Sequence, residues 1–335
     1  LMTELGADPA ATLFVGDSTS VATQNVGDEI INDSIRMNWT ELYDKNYICK
    51  YPTHTPPYAW WQQLIVSRKF DILANSDYKF LCGTNALYTN MMRPLPQWNI
   101  FPWNASFFKD TILLGVGAGI NSRHINIYTK YLYKKVLSKN YIHSTRDEYT
   151  KNMLESLGYK AMNTGCPTLW GFTDDFCKKI PSTKSDKVLF TLTGYQPDIE
   201  NDKLMVEILS NNYEELFFWP QTPTDLDYLR SIGHIDVKVI TPNLCAYDRV
   251  LSDNNIDYVG NRLHGGIRAL QHGRKSLIVA IDYRAVNMSK QYGLPIIERE
   301  HIRSKLDGFI NSNFETKITG LDFDVIEKWK MQFEF

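Results

Sequence analysis

Apolar and polar positions alternate along this chain in two registers. Short apolar runs ending in glycine or an acid are followed by stretches whose apolar residues return at helical spacing. "ATLFVGD" (11–17) predicts a buried strand. "NVGDEIINDSIRM" (25–37) predicts a helix with Ile30, Ile31 and Ile35 on one face. "KFLCG" (79–83) and "DTILLGVGAG" (110–119) predict two more strands, and "YTKYLYKKVL" (128–137) an amphipathic helix. "YIHSTRDEYTKNMLESLGY" (141–159) reads as strand, turn and a helix that stops near Gly158. This is the rhythm of a parallel sheet with helices on both faces.

The rhythm breaks over "CPTLWGFTDDFCKKIPSTKSDK" (166–187), where prolines and a Ser/Thr/Lys cluster predict an inter-domain link. It then restarts. Strands are predicted at "KVLFTLTG" (187–194), "ELFFWPQ" (215–221), "VKVIT" (237–241), "IDYVG" (256–260), "KSLIVAID" (275–282) and "LPIIE" (294–298). Helices are predicted at "KLMVEILSNN" (203–212), "TDLDYLRSIG" (224–233), after "NRLHGG", and at "VNMSKQYG" (286–293). The expected fold is α/β: two Rossmann-like domains with parallel sheets facing a central cleft, over 1–175 and 185–315. A helical tail is expected over 316–335. In such folds ligands sit beyond the carboxyl ends of the strands.

Bulk numbers narrow the function. A chain of 335 residues favours two domains at roughly 150 residues each. The net charge of -2 provides no global basic field for nucleic acid. Cys49, Cys82, Cys166, Cys177 and Cys245 show no CxxC spacing and no histidine in a zinc pattern, so buried thiols are expected, with no disulfide and no metal. No run approaches the ~18 apolar residues of a membrane span, and no basic stretch precedes an apolar core at the N-terminus. A cytoplasmic location is expected. Eight Trp and 19 Tyr suit either sugar stacking or core packing. Trp60, Trp61, Trp98 and Trp103 are candidates for stacking, with packing the favoured role for any one of them.

The stretch "NRLHGGIRALQHG" concentrates charge where a core has no use for it. If the strand persists through the turn, Arg262 and His264, two apart, point the same way. Gly265 and Gly266 would let an anion approach the backbone, and a helix starting near Gly266 would present free N–H groups. Arg268 follows one helical turn after His264. Two guanidinium groups, an imidazole and a helix N-terminus suit a phosphate, a carboxylate or both. The competing role is a purely structural strand–helix turn. His272, beside Gly273, is expected to end the helix.

Other loops say less on their own. "GVGAG" (115–119) lacks GxGxxG spacing and a following acid, so a nicotinamide site is not indicated. Gly117 and Gly119 form either a tight turn or a loop lining the cleft. In "STRDEY" (144–149), Arg146 sits at a strand–helix junction, with Ser144 or Thr145 as N-cap and Asp147 and Glu148 complementing the helix dipole. Asp28 opens the helix after "NVG". No GxSxG elbow or paired-carboxylate pattern is present.

Together, "VGNRLHGGIRALQHGRKSLIVAIDYRA", "NVGDEI", "LLGVGAG" and "STRDEYTKNMLESLG" resemble, in order, the motifs of the polysaccharide pyruvyl transferase family. The resemblance spans about residues 12 to 300. It implies a GT-B-like fold, with the acceptor on the N-terminal side and the donor on the C-terminal side. It implies transfer of the pyruvyl skeleton of phosphoenolpyruvate to a sugar, as a ketal across two hydroxyls. Its functional positions fall on Asp28, Arg146, Arg262 and His264. Where the pattern has an arginine after the first strand of the second half, this chain has "FTLTGYQ", with Thr191, Thr193 and Gln196.

Phosphoenolpyruvate carries a carboxylate and a phosphate, which match the arginines and helix N-terminus. His264 is the candidate acid for the methylene carbon, although nearby arginines would lower its pKa, and Asp28 is the candidate base for the acceptor hydroxyl. Arg262, Arg146, Arg268, Gly265 and Gly266 are the candidate donor contacts, and no cofactor is expected. The saccharide acceptor is free or lipid-linked, the latter drawing the protein peripherally to a membrane. Two rivals share the anion site. One is a GT-B glycosyltransferase whose nucleotide-sugar ribose is held by Asp282 or Glu298. The other is a non-catalytic paralogue that binds a glycan or anion.

Overall fold

The structure, a computed structural model, describes residues 25–56, 59–62, 75–93, 96–233 and 235–335. The strand expected over 11–17 lies outside these residues. Among them, the chain forms two compact units, one of 31–170 with 322–335, the other of 25–30 with 171–321. The division falls within helix α1 (Gly27–Asn38), which is followed by the short α2 (Thr40–Asp44).

In the first unit the strands are β1 (Lys79–Cys82), β2 (Leu87–Tyr88), β3 (Thr111–Leu114), β4 (Ala118–Gly119), β5 (His143–Thr145) and β6 (Ala161–Asn163). They form three parallel pairs, β1–β3, β2–β4 and β5–β6. All four residues of β3 are buried, as its unbroken "TILL" predicts for a strand covered on both faces. β5 lies beside β3: Leu113 N donates to His143 Nδ1 at 3.1 Å and Gly115 N to Ser144 Oγ at 2.7 Å. Helix α3 (Ile127–Val136) is capped by Asn126, whose side chain accepts from Thr129 N. Helix α4 (Glu148–Ser156) is capped by Asp147, not by Ser144 or Thr145, because both of those residues belong to β5.

The second unit is built on one parallel sheet. In chain order its elements are α5 (Asp174–Cys177), β7 (Lys187–Thr191), α6 (Ile199–Asn212), β8 (Glu215–Phe218), α7 (Pro223–Ser231) and β9 (Lys238–Val239). There follow α8 (Leu244–Asp253), β10 (Asp257–Gly260), α9 (Leu263–Gln271), β11 (Ser276–Ala280), α10 (Tyr283–Tyr292), β12 (Ile296–Glu298) and α11 (Ile302–Asn311). Helices α8 and α11 are not among those that the sequence periodicity predicts. Strand order is β12-β11-β10-β7-β8-β9, all parallel. The winding reverses between β7 and β10, which makes the carboxyl ends of those two strands the natural crevice for a ligand. Val188, Phe190, Leu209, Phe218, Val259 and Leu306 fill the core between sheet and helices.

The C-terminal tail is shared. Thr319 N donates to Tyr292 O in the second unit at 2.9 Å. The last helix, α12 (Phe323–Lys330), packs on the first: Trp329 is fully buried against Trp39 and Phe80, and its Nε1 donates to Ile142 O at 2.6 Å.

Candidate active site

The site begins where β10 runs into α9. A Cβ on Gly260 would lie 2.4 Å from Thr191 Oγ1 and 2.6 Å from Thr191 N, so only glycine lets β10 pass β7 this closely. Arg262 N donates to Thr191 Oγ1 at 3.2 Å, and Tyr258 OH donates to Arg262 O at 2.8 Å. With its proton so committed, Tyr258 accepts the 2.6 Å bond from the Thr191 hydroxyl. The turn is thus held from below by a directed chain of hydrogen bonds.

The strand does not persist to His264. It ends at Gly260, Arg262 is the N-cap, and α9 starts at Leu263. Both glycines therefore lie inside the helix. A Cβ on Gly266 would come within 2.3 Å of Ile278 Cγ1 and 2.8 Å of Tyr258 Cε1, so this glycine serves the packing of α9 on the sheet. A Cβ on Gly265 would instead meet Gln221 Nε2 at 2.8 Å.

Arg262 and Asp225 form a buried ion pair, at 4% and 0% side-chain exposure. Arg262 Nη2 reaches both carboxylate oxygens, Oδ2 at 2.5 Å, and also Thr222 Oγ1 at 3.2 Å. Arg262 Nε points to Leu192 O at 3.4 Å. Asp225 additionally accepts from Gly194 N, Gln221 N, Thr222 N and Thr222 Oγ1. Its capping box at the start of α7 is therefore also the mount for Arg262. The guanidinium faces the Tyr195 ring at 4.9 Å.

Arg262 lines a polar recess. Its lining includes Arg262, His264, Gln221, Asn261, Asp282 and Arg284. Leu263 and His264 bring the N-terminus of α9 to it, and Ile281, Asp282, Arg284 and Ala285 bring that of α10. Asn25 and Gly27 also line it: Val26 N donates to Gln221 O at 3.2 Å, and a Cβ on Gly27 would lie 3.0 Å from Gln221 Oε1. Asp28 stands in the first turn of α1, one residue beyond the lining. Gln221 is 3% exposed, and its Nε2 has no hydrogen-bond partner among the described residues. The same holds for Asn261 Oδ1. Buried polar atoms without partners are uncommon, and two at one recess point to a polar ligand.

Arg268 does not enter the recess. Its Nε and Nη2 clasp Asp248 on α8 at 2.7 and 2.6 Å. His272 is the C-cap of α9, as expected, and its Nε2 also meets Asp248 at 3.1 Å. Burial alone would raise the Asp248 carboxyl, but hydrogen bonds from Arg268 and His272 outweigh it and hold the group below its ordinary value. Of the residues "FTLTGYQ" offers, Thr191 supports the turn and Gln196 Nε2 donates to Ile281 O at 3.0 Å.

In the first unit, "GVGAG" and "STRDEY" meet. Arg146 is buried, donates from Nη2 to Asn85 Oδ1, and lies 3.6 Å from Asp147 through Nε. A Cβ on Gly117 would fall 2.4 Å from Arg146 Nη2, and one on Gly119 would fall 2.4 Å from Tyr88 Cε1. Gly117 therefore gives the guanidinium its place against the backbone. Ala118 N donates to Thr150 Oγ1, which in turn donates to Asp147 Oδ1.

Three further expectations are refined. Cys166 and Cys177 are buried, but Cys49 and Cys245 are exposed. Trp98 is a core residue, whereas Trp60, Trp61 and Trp103 are exposed, the last stacked on Phe101 at 4.5 Å. Glu298 is not among the residues lining the recess. It stands with Glu300 and His301, with ligand-type atoms within 4.8 Å of one another.

The family profile described as polysaccharide pyruvyl transferase matches residues 25–283. The chain belongs to that family. The matched span takes in the Asn25 segment, "GVGAG", "STRDEY" and the Arg262 turn. No curated protein matches the sequence. Among solved structures the wall teichoic acid polymerase TagF is similar, with a TM-score of 0.33 at 14% identity, covering 92% of this chain and 87% of that one. Among the described residues no helix is long and apolar enough to cross a membrane.

Proposed function

We propose that this family member transfers the pyruvyl group of phosphoenolpyruvate to a saccharide as a ketal. The observation that carries the reading is the recess at the carboxyl ends of β7 and β10. There Arg262, His264 and Gln221 Nε2, which has no hydrogen-bond partner among the described residues, meet two helix N-termini. A small anion with two charged ends is matched by such donors.

In this reading His264 protonates the methylene carbon of the donor. The central carbon becomes electrophilic and a sugar hydroxyl adds to it, its proton passing to Asp28. Phosphate then leaves with the C–O bond electrons. A neighbouring hydroxyl closes the ketal and its proton restores His264, while the proton held by Asp28 passes to the departing phosphate. The sum is phosphoenolpyruvate plus a diol to a ketal plus hydrogen phosphate. Arg262 binds the donor, and Arg146, held by Asn85 and Gly117, is a candidate anion contact of its own unit. Arg268, engaged by Asp248, is given no donor contact. No cofactor is required. The GT-B-like architecture of two Rossmann-like domains, a lipid-linked acceptor and a cytoplasmic site of action belong to the same proposal.

A thermal-shift titration with phosphoenolpyruvate, beside a panel of nucleotide sugars, tests it. A ligand that binds only the folded state raises the midpoint. The expected result is a shift with phosphoenolpyruvate that Arg262→Ala abolishes, followed by acceptor-dependent phosphate release. A shift with nucleotide sugars alone would replace this reading with the glycosyltransferase.

A further inference from the structure

Arg284 lies one residue beyond the span that the family profile matches. It nevertheless stands in the same recess as Arg262. Its Nε and Nη2 share Asp282 Oδ2, at 2.9 and 2.6 Å, while its own backbone N–H donates to Asp282 Oδ1 at 2.8 Å. Asp282 thus caps α10 and aims the guanidinium at once. Nη2 also approaches Tyr195 OH at 3.4 Å, and the Tyr195 ring lies against Arg262. Nη1 of Arg284 bonds to none of the described residues, and the side chain is 32% exposed.

Arg262 is similar in one respect. Nη2 and Nε hold protein oxygens, and Nη1 has no partner among the described residues. Each arginine is therefore fixed on one edge by an aspartate and keeps an Nη1 group with two N–H donors for another acceptor. Tyr195 spans the two, and the loop that bears it is tied to the end of β11 by the Gln196–Ile281 bond. Gln221 Nε2 and Asn261 Oδ1, in the same recess and without hydrogen-bond partners among the described residues, independently indicate a polar ligand.

We propose that Arg284 is a second donor-binding guanidinium, which holds one anionic end of phosphoenolpyruvate while Arg262 holds the other, with Tyr195 setting the distance between them. Neither aspartate must be released, because the ligand takes the Nη1 edges that the aspartates leave open. The inference rests on the donor assignment above.

Calorimetric titration of phosphoenolpyruvate into the full chain tests it, with Arg284→Gln compared with wild type. Removing a charge-assisted contact predicts a Kd about 10- to 100-fold weaker, at an unchanged melting temperature of the ligand-free protein. Where Gln itself lowers that temperature, Arg284→Met, which keeps the apolar stem, gives the same reading. A Kd within twofold of wild type in a folded variant overturns the role of Arg284 and leaves the donor assignment standing. Failure of the wild type to bind phosphoenolpyruvate overturns both.

Discussion

Asp225 holds Arg262 from beneath, with both side chains buried and Nη2 within 2.5 Å of Oδ2. The two partners are not equivalent. Asp225 has four other donors, whereas the charge of Arg262 has only this carboxylate among its described partners. Asp225→Ala strands a buried guanidinium and is expected to cost about 3–5 kcal/mol. Arg262→Ala leaves a hydrogen-bonded carboxylate and is expected to cost less stability while abolishing donor binding. Urea unfolding of the two variants checks the order; equal midpoints would contradict it.

The paired glycines of α9 separate by the same kind of measurement. Gly266→Ala drives a Cβ into Ile278 and Tyr258, two core side chains, and is expected to cost about 1–3 kcal/mol. Gly265→Ala meets only the end of the Gln221 side chain at 2.8 Å and the Tyr258 hydroxyl at 3.2 Å. It should change stability by less than about 1 kcal/mol and weaken phosphoenolpyruvate binding several-fold by displacing the Gln221 amide. Thermal melts and ligand titrations on both variants decide the matter.

His143 sets a pH dependence. Burial pushes its imidazole down to about 4, only partly opposed by the bond from Nε2–H to Ser138 O. Its Nδ1 accepts from Leu113 N and so must stay unprotonated. A depressed folded value means that the stability is present above the unfolded value near 6.5 and is lost as pH falls through about 4. The expected loss over that window is about 3 kcal/mol. Imidazole NMR should show the neutral Nε2–H tautomer down to about pH 5; a midpoint near 6.5 would exclude it.

Acid and base roles are tested by replacing each group alone. His264→Ala should lower turnover by about 10²–10⁴-fold and leave the ligand-free melting temperature unchanged. Asp28→Asn should lower turnover with phosphoenolpyruvate affinity retained. Normal turnover in Asp28→Asn would remove that residue as the base.

Aromatic candidates divide by burial. Trp98→Ala removes a core ring and is expected to cost about 3–5 kcal/mol. Trp103→Ala removes an exposed ring stacked on Phe101 and should leave stability within about 1 kcal/mol. A matching loss in both would place Trp103 in the core.

The sequence by itself determined most of the strands and helices and their order, though not α8 or α11. "TILL", "KVLF" and "SLIVA" are buried strands because unbroken apolar runs have no solvent face, and Gly115 marks where the first of them ends. It also determined that a charged segment with two glycines follows β10. Tertiary structure decided what that segment does. The Asp225 partner of Arg262, the diversion of Arg268 to Asp248, and the meeting of Gln221, Asn25 and Arg284 at one recess depend on which strands are neighbours in the sheet. Periodicity records which face of an element is buried. It carries no record of the partner across the sheet, because ion pairs and hydrogen bonds between elements are set by distances that exist only once the strands are in register.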